Sequence, residues 1–513
     1  MTSTAEAAAA LVREALGVYA DDAAARPLLE QYARRLEEPL RVAVAGKVKA
    51  GKSTLLNAVI GEEIAPTDTG ECTRVVTWYR YARTPRVTLH PHDGDPRPLP
   101  VRRVDGRLRL DLGGTPAEDV ARLVVDWPSA RLRDLTLIDT PGIASLSQDV
   151  SARTTAFLTP EDTPSQADAV VYLLRHLHAS DVRFLESFRD TVAARSGTVN
   201  VLGVLSRADE IGAGRIDALL SARDIARRYR EDGTLRTLAL DVVPIAGLLA
   251  QSARTLRESE YAALRRLAAL DRAARERMLV SADRFTRPDS PLDLPEEARA
   301  ALVERFGLFG IRLAVALLRG GIADSTALAH ELARRSGLEE LVRLLAVQFE
   351  ARAAALKART VLLGVERLVR ERPRPGAEPL LGGLERIAAG AHEFRELRLL
   401  AAVRTEGLAV PPELAREAER LLGARGTDPA HRLGLPDGAG PEQVRDAARA
   451  ALARWRTVGE SPLTTRATAE ACQVLVRSCE ALLAGATPRA RLVLGPEPGA
   501  DLGQARGDER RAG

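Results

Sequence analysis

Apolar positions along the chain fall into two rhythms. From about residue 40 to 247, short apolar runs alternate with helical stretches: Arg41–Ala45, Val75–Tyr81, Val87–His90, Leu135–Ile138, Ala169–Leu174, Val199–Leu205 and Val242–Ala246. These runs are rich in Val, Leu, Ile and Tyr and end at turn signals, a pattern that predicts strands. Strands alternating with helices predict an α/β domain with a mainly parallel sheet.

Elsewhere the spacing is helical. Leu11, Leu16, Leu28, Leu29, Tyr32 and Leu36 predict one or two amphipathic helices over residues 4–36. From about 250 to 487 strand signals vanish, and Ala, Leu, Arg and Glu dominate. Leu338, Val342, Leu345, Phe349, Leu356 and Leu363 nearly trace a seam of three- and four-residue steps, which Arg352 interrupts. A helix from Gly337 to Arg370 would run about 50 Å at 1.5 Å per residue, a length that suits a bundle or stalk. Breaks fall at Pro288–Pro295, Pro373–Pro379, Pro411–Pro412 and Gly423–Pro441. The expected division is N-terminal helices over 1–38, the α/β domain over 39–255, a helical bundle over 256–487 and a disordered Gly-, Pro- and Arg-rich tail over 488–513.

Composition narrows the classes. With 513 residues, 45% apolar and 28% charged, wholesale disorder is excluded. A net charge of +4 over that length gives no reason to invoke nucleic acid, and 4% aromatics are too few for a series of base-stacking platforms. Cys72, Cys472 and Cys479 do not make a disulfide framework and fit a reducing cytoplasm. The start lacks the basic and apolar segments of an export signal. The most apolar stretch, Phe306–Ile322, contains Arg312 and Arg319 and is shorter than the roughly 20 residues a bilayer needs. A soluble chain, or one touching a membrane from the side, is expected. Nearly every basic residue is Arg; of only four lysines, three are Lys47, Lys49 and Lys52.

Those lysines sit in Gly46-Lys47-Val48-Lys49-Ala50-Gly51-Lys52-Ser53, which matches the P-loop pattern between the run Arg41–Ala45 and a helical run that opens at Thr54. Glycines let backbone N–H groups curl around phosphate oxygens, and the helix N-terminus adds positive potential. Lys52 is expected on the β- and γ-phosphates and Ser53 on Mg²⁺. Asp139-Thr140-Pro141-Gly142 follows a strand, so Asp139 is expected on the Mg²⁺ side and the Gly142 N–H on the γ-phosphate. Ser206-Arg207-Ala208-Asp209 has the shape of a guanine-reading turn: Asp209 accepts from guanine N1–H and the 2-amino group, and the Arg207 stem packs along the purine. Adenine offers neither donor, and such a site discriminates by roughly 10⁴-fold. Ala246-Gly247, after the last strand, supplies small residues beside the base. Between the P-loop helix and the next strand, Thr73 is the first choice to complete the Mg²⁺ shell, with Thr67 and Thr69 behind it.

With their spacing, these motifs resemble the bacterial dynamin-like GTPases, most closely the actinobacterial isoniazid-inducible, IniC-like group and the related sporulation dynamin DynA. Further carriers are Ile64-Ala65-Pro66-Thr67, Thr73-Arg74-Val75-Val76-Thr77-Trp78, Asp209-Glu210-Ile211-Gly212-Ala213-Gly214 and Arg305-Phe306-Gly307-Leu308-Phe309-Gly310, and the likeness reaches about residue 480. The resemblance implies a GTPase head converting GTP to GDP with Mg²⁺, and a helical neck and trunk joined by the N-terminal helices. It also implies head-to-head dimers, higher assembly, membrane remodelling at a septum or envelope, and work beside a membrane-anchored dynamin-like paralogue. Peripheral contact with the inner face of the cell membrane, and no nucleic acid, follow from the same reading.

Two departures matter. Where eukaryotic dynamins carry a Gln and a small polar residue that helps hold a monovalent cation, this chain has Val48 and Lys49, so Lys49 is expected to supply that charge covalently. Ile143 follows Gly142 in place of a water-positioning Gln, which predicts slow, concentration-dependent turnover. A membrane-contacting loop is sought at Arg370–Leu384, with Arg372 and Arg374 meeting anionic headgroups while Leu380 and Leu381 dip inward. His90/His92 and His176/His178 read as polar strand ends. Two other classes stay open: a soluble regulatory GTPase acting on a protein or ribosomal partner, and a weakly hydrolysing structural partner of a membrane-anchored dynamin-like protein.

Overall fold

A computed structural model describes residues 4–67, 74–104, 106–142, 165–193 and 200–486. Its strands are β1 Leu40–Gly46, β2 Thr77–Tyr81, β3 Arg86–Pro91, β4 Arg97–Leu99, β5 Arg102–Val104, β6 Arg107–Arg109, β7 Val120–Trp127, β8 Leu135–Asp139, β9 Ala169–Leu174, β10 Val201–Ser206 and β11 Asp241–Ile245. Nine form one sheet in the order β11-β10-β9-β1-β8-β2-β7-β3-β4, and β5 pairs with β6 apart from it. Strands β11, β10, β9, β1 and β8 run parallel, as does β2 with β7; β2 meets β8 antiparallel, and β3 is antiparallel to both β7 and β4.

The pleat explains why β1 is buried throughout. Leu40, Val42 and Val44 point into one core, while Ala43 and Ala45 point into another on the opposite face. The first core runs on without a break into the helical part, through Leu338, Leu341, Phe349, Trp455 and Cys472. The second is closed by helices Ala179–Ala193 and Ala218–Glu231. A third core forms among helices Gly247–Arg254, Glu258–Ala269, Glu296–Arg319 and Ser325–Arg335.

The N-terminal helices Thr4–Val18 and Ala25–Glu37 pack on helices Ala353–Glu371 and Glu378–Gly390, distant in sequence, through Leu11, Tyr19, Leu29, Val361, Val365 and Leu380. Contact is close enough that a Cβ on Gly364 would lie 2.4 Å from the Tyr32 ring. The fourth lysine serves this joint: Lys357 Nζ donates to the carbonyls of Leu36 at 2.8 Å and Glu38 at 2.7 Å. Arg35 forms a buried ion pair with Asp168 at 2.8 Å, and Asp168 also accepts from the Arg41 N–H at 3.0 Å. Removing one partner of such a pair costs about 3–5 kcal/mol.

The structure departs from the sequence expectations in three places. The single helix over Gly337–Arg370 is instead Leu338–Leu344, a π-helical turn at Leu345–Phe349, a 3₁₀ turn at Glu350–Arg352 and then Ala353–Glu371. Arg352 sits at that break and donates to the carbonyls of Leu422 at 3.2 Å and Gly423 at 2.6 Å. Strands β4, β5, β6 and β7 have no counterpart among the seven expected runs: the first three are only three residues each and rich in Arg, and in β7 Arg122 and Asp126 interrupt the apolar pattern.

The third concerns the sought membrane loop. Leu380 is fully buried in the neck core and does not dip into a bilayer, whereas Leu381 is 36% exposed. Arg372 pairs with Asp22 at 3.0 Å and Arg374 with Asp21 at 2.7 Å, and Tyr19 Oη donates to the Arg372 carbonyl at 2.8 Å. Both arginines therefore have carboxylate partners in the turn between the N-terminal helices.

Candidate nucleotide site

Strand β1 delivers the chain to Gly46, where φ is 146° and a Cβ would lie 2.5 Å from the Leu173 carbonyl. The loop then turns through Lys49 at φ 62° and Gly51 at φ 96°, and helix Lys52–Ile60 begins. Lys52 Nζ donates to the Gly46 carbonyl at 3.4 Å and to that of Lys47 at 3.3 Å. Burial pulls the Lys52 ammonium below its ordinary pKa, and the charge of Asp139 opposes this.

Ser53 Oγ donates to Asp139 Oδ2 at 2.8 Å. Burial pushes the Asp139 carboxyl up to about 6, despite the opposing effects of Lys52 and Ser53. Its other oxygen, Oδ1, is buried with no partner among the described residues. A buried carboxylate oxygen left unmatched beside a serine hydroxyl is a hard oxygen donor set, and it fits Mg²⁺. The first-choice Thr73 and its alternate Thr69 lie outside the described residues, as do Cys72, Ile143 and the expected tail 488–513. Thr67 is described and exposed. The chain leading to it is fixed by Asn57, whose Oδ1 accepts from the Ile64 and Ala65 N–H groups at 2.9 and 2.7 Å. Glu63 is held there by Arg305 at 2.6 Å and Arg107 at 2.7 Å.

Gly142 lies against the P-loop. A Cβ on it would come 2.5 Å from Val48 Cγ2 and 2.8 Å from Val48 Cα, so only glycine fits this approach. Val48 itself is 46% exposed, and Lys49 is exposed beside it.

On the other side, β10 ends in Ser206, whose hydroxyl donates to the Leu174 carbonyl at 3.2 Å. Arg207 takes a left-handed backbone, φ 53°, and its guanidinium donates to the Lys49 carbonyl at 2.9 Å and to Glu210 at 2.7 Å. Burial raises the Asp209 carboxyl above its usual range, and its side chain has no donor side chain among the described residues.

Between these walls lies a cavity of about 180 Å³. Ala50, Gly51 and Thr54 line it from the P-loop; Ser206, Arg207 and Asp209 line it from the facing turn; Gly247 closes the end. Ala246 does not line it: it is buried, and its N–H donates to the Ser336 carbonyl at 2.9 Å.

Sequence reasoning missed Asp181. Its carboxylate is 1% exposed, accepts from Tyr172 Oη at 2.7 Å and from the His178 N–H at 2.9 Å, and pairs with Lys47 at 3.2 Å. The available signal was an acid in the first turn of a helix after β9.

Residues 42–207 match the model of the Dynamin family. Isoniazid-induced protein IniC of Mycobacterium tuberculosis is 43% identical over 459 residues, covering 89% of this chain and 92% of IniC. A bacterial dynamin-like protein of Nostoc punctiforme is 36% identical over 118 residues, 20% of this chain and 16% of its own. A solved oligomerised bacterial dynamin pair aligns with 93% of this chain and 72% of its own at 11% identity, with a TM-score of only 0.30.

Proposed function

The chain belongs to the dynamin family, alongside the isoniazid-induced protein IniC, and on that premise we propose that it hydrolyses GTP to GDP and phosphate with Mg²⁺. The observation that carries this reading is the cavity in which Asp209, a carboxylate without a donor side chain among the described residues, faces the P-loop.

In this reading the N–H groups of the loop and Lys52, whose ammonium lies inside the loop, take the phosphates. Ser53 and Asp139, with Thr73, would hold the cation, which would supply charge neutralisation for phosphoryl transfer. The Gly142 N–H meets the γ-phosphate, and Asp209 accepts from guanine N1–H and the 2-amino group. The Lys49 ammonium, on a loop already near the developing β–γ charge, serves as a built-in monovalent cation.

Turnover drives self-association through the heads and membrane remodelling at the septum or envelope, on the inner face of the cell membrane and beside a membrane-anchored paralogue. No helix among the described residues is long and apolar enough to cross a membrane. The test is GTP turnover of the purified chain over a concentration series, with and without anionic liposomes. Turnover rising with both supports the whole reading. Turnover indifferent to both removes assembly and membranes from it, and absence of turnover removes the enzyme.

A further inference from the structure

A basic concavity lies at the opposite end of β11 from the candidate nucleotide cavity. Ile245, closing β11, lines the nucleotide cavity, whereas Asp241, opening β11, lines a second cavity of about 600 Å³. One wall is the head around Arg230, Arg236 and Leu240; the other is the trunk, from helices Leu338–Leu344, His392–Thr405 and Pro412–Leu421 onward.

Its charge is one-sided. Seven arginines line it against three carboxylates. Glu419 is already taken by Arg236 and by Arg404, the latter at 3.4 Å, and Asp241 lies 3.6 Å from Arg230. Arg343, Arg416, Arg420 and Arg425 have no ion pair among the described residues, and Glu340 is the one lining carboxylate left. Arg420 Nε is buried without a partner there, pressed so near Gly434 that a Cβ would come within 3.2 Å.

Four guanidinium groups gathered on a walled cavity repel one another and focus positive potential into it. Their planar forks match phosphate oxygens two at a time, which a lone ammonium cannot do. The volume is that of sites that enclose small molecules, about 300–1,000 Å³. We propose that this cavity is a second anion site, separate from the nucleotide pocket, for a small molecule carrying two or more phosphate groups.

The site bridges two parts of the molecule. Arg404 of the trunk already donates to the Ala239 and Leu240 carbonyls of the head, each at 2.9 Å. A phosphorylated ligand removes the repulsion among the trunk arginines where they face the head, so it holds head and trunk together in this arrangement.

Inorganic triphosphate is the probe, followed by calorimetry and thermal melting. The full chain carries Lys52→Ala, so that the P-loop does not take the probe. One equivalent is expected to bind and raise the melting midpoint. Adding Arg343→Ala, Arg416→Ala and Arg425→Ala, all at exposed positions, is expected to weaken binding by roughly tenfold or more. The same three changes in the chain with Lys52 intact leave GTP binding unchanged, which checks folding and reads the nucleotide site on its own. No binding to the Lys52→Ala chain, or binding undiminished by the three changes, overturns the proposal. Competition by vesicles of cardiolipin, a lipid with two phosphates, in phosphatidylcholine identifies a lipid headgroup as the source of the anion; triphosphate binding that ignores them identifies a soluble compound.

Discussion

The guanidinium of Arg207 donates to the carbonyl of Lys49 at 2.9 Å, and these are the two non-glycine residues with left-handed backbone among the described residues, φ 53° and 62°. Each such conformation costs on the order of 1 kcal/mol or more and persists where its surroundings over-determine it. The bond ties the candidate base-reading turn to the phosphate loop, so each holds the other's strained backbone.

Arg207→Ala is therefore expected to weaken GTP binding by roughly five- to tenfold, the value of one partly exposed charge-assisted hydrogen bond. Its melting temperature should barely move. Nucleotide titration beside thermal melting separates the two, and a large loss of stability would contradict a role confined to the site.

Lys49→Gly removes the strain and the charge together. Stability should rise by about 1 kcal/mol. Turnover should fall and acquire a dependence on potassium that the unmodified chain lacks. Strong potassium activation of the unmodified chain would show that Lys49 is not the built-in cation.

Gly142→Ala places a methyl group 2.5 Å from Val48 Cγ2 and 2.8 Å from Val48 Cα. Backbone must shift where the γ-phosphate is proposed to lie. A fall in kcat of about 10²-fold is expected with GDP affinity nearly kept. Equal losses of GDP and GTP binding would place the damage in the P-loop as a whole.

Asp209→Asn exchanges an acceptor for a donor. Guanine then meets an NH₂ where its own amino group points, so GTP affinity should drop by at least roughly tenfold. Xanthosine triphosphate carries a carbonyl at that position and should gain relative to GTP. Competition between the two nucleotides measures the ratio, and an unchanged ratio would remove Asp209 from base recognition.

Leu380 and Leu381 are adjacent but unequal. Leu380→Ser empties a fully buried position and should cost about 3 kcal/mol or more, whereas Leu381→Ser should change stability by less than about 0.5 kcal/mol. Flotation with anionic vesicles then uses Leu381→Ser alone; unchanged flotation removes this loop as a membrane contact.

Glu396 gives a pH signature in the trunk. Burial raises its carboxyl, but hydrogen bonds from His392 and Ser478 and the charge of Arg432 win, holding it at about 2. A depressed folded value means stabilisation that is complete above the unfolded value, 4.5, and lost as pH falls toward 2. Glu396→Gln should cost about 2–3 kcal/mol at neutral pH. In urea melts the gap between variant and unmodified chain should narrow from about pH 5 to about pH 3.

The P-loop was legible because its glycines, lysine and serine are contiguous and sit between an apolar strand and a helical run. Strand β7 was hidden by two charged residues whose partners lie on other strands. Asp126 pairs with Arg80 at 2.9 Å and Arg86 at 3.1 Å, and the Arg122 guanidinium lies 5.4 Å from the Trp78 ring centre. Asp181 was hidden for the same reason, since Lys47 is far from it along the chain. In the trunk, the apolar seam did foretell helix, but Arg352 at its interruption answers carbonyls of a segment some 70 positions later, at Leu422 and Gly423. At Leu380–Leu381 the pattern showed two apolar residues; only tertiary packing decides which of two neighbours, about 100° apart around a helix, turns inward.

Lys357 grips the carbonyls of Leu36 and Glu38, and the seven-residue β1 begins two positions later and ends at Gly46. The neck's anchorage and the phosphate loop are thus opposite ends of one fully extended, fully buried rod of about 23 Å. There is no slack in it. Along its length β1 is paired with β8 on one side and β9 on the other, so any displacement at its first residue is shared with both neighbours before it reaches Gly46. The joint at Lys357 and the phosphate loop are therefore placed relative to each other by the sheet as a whole, with only Pro39 between the last gripped carbonyl and the first strand residue.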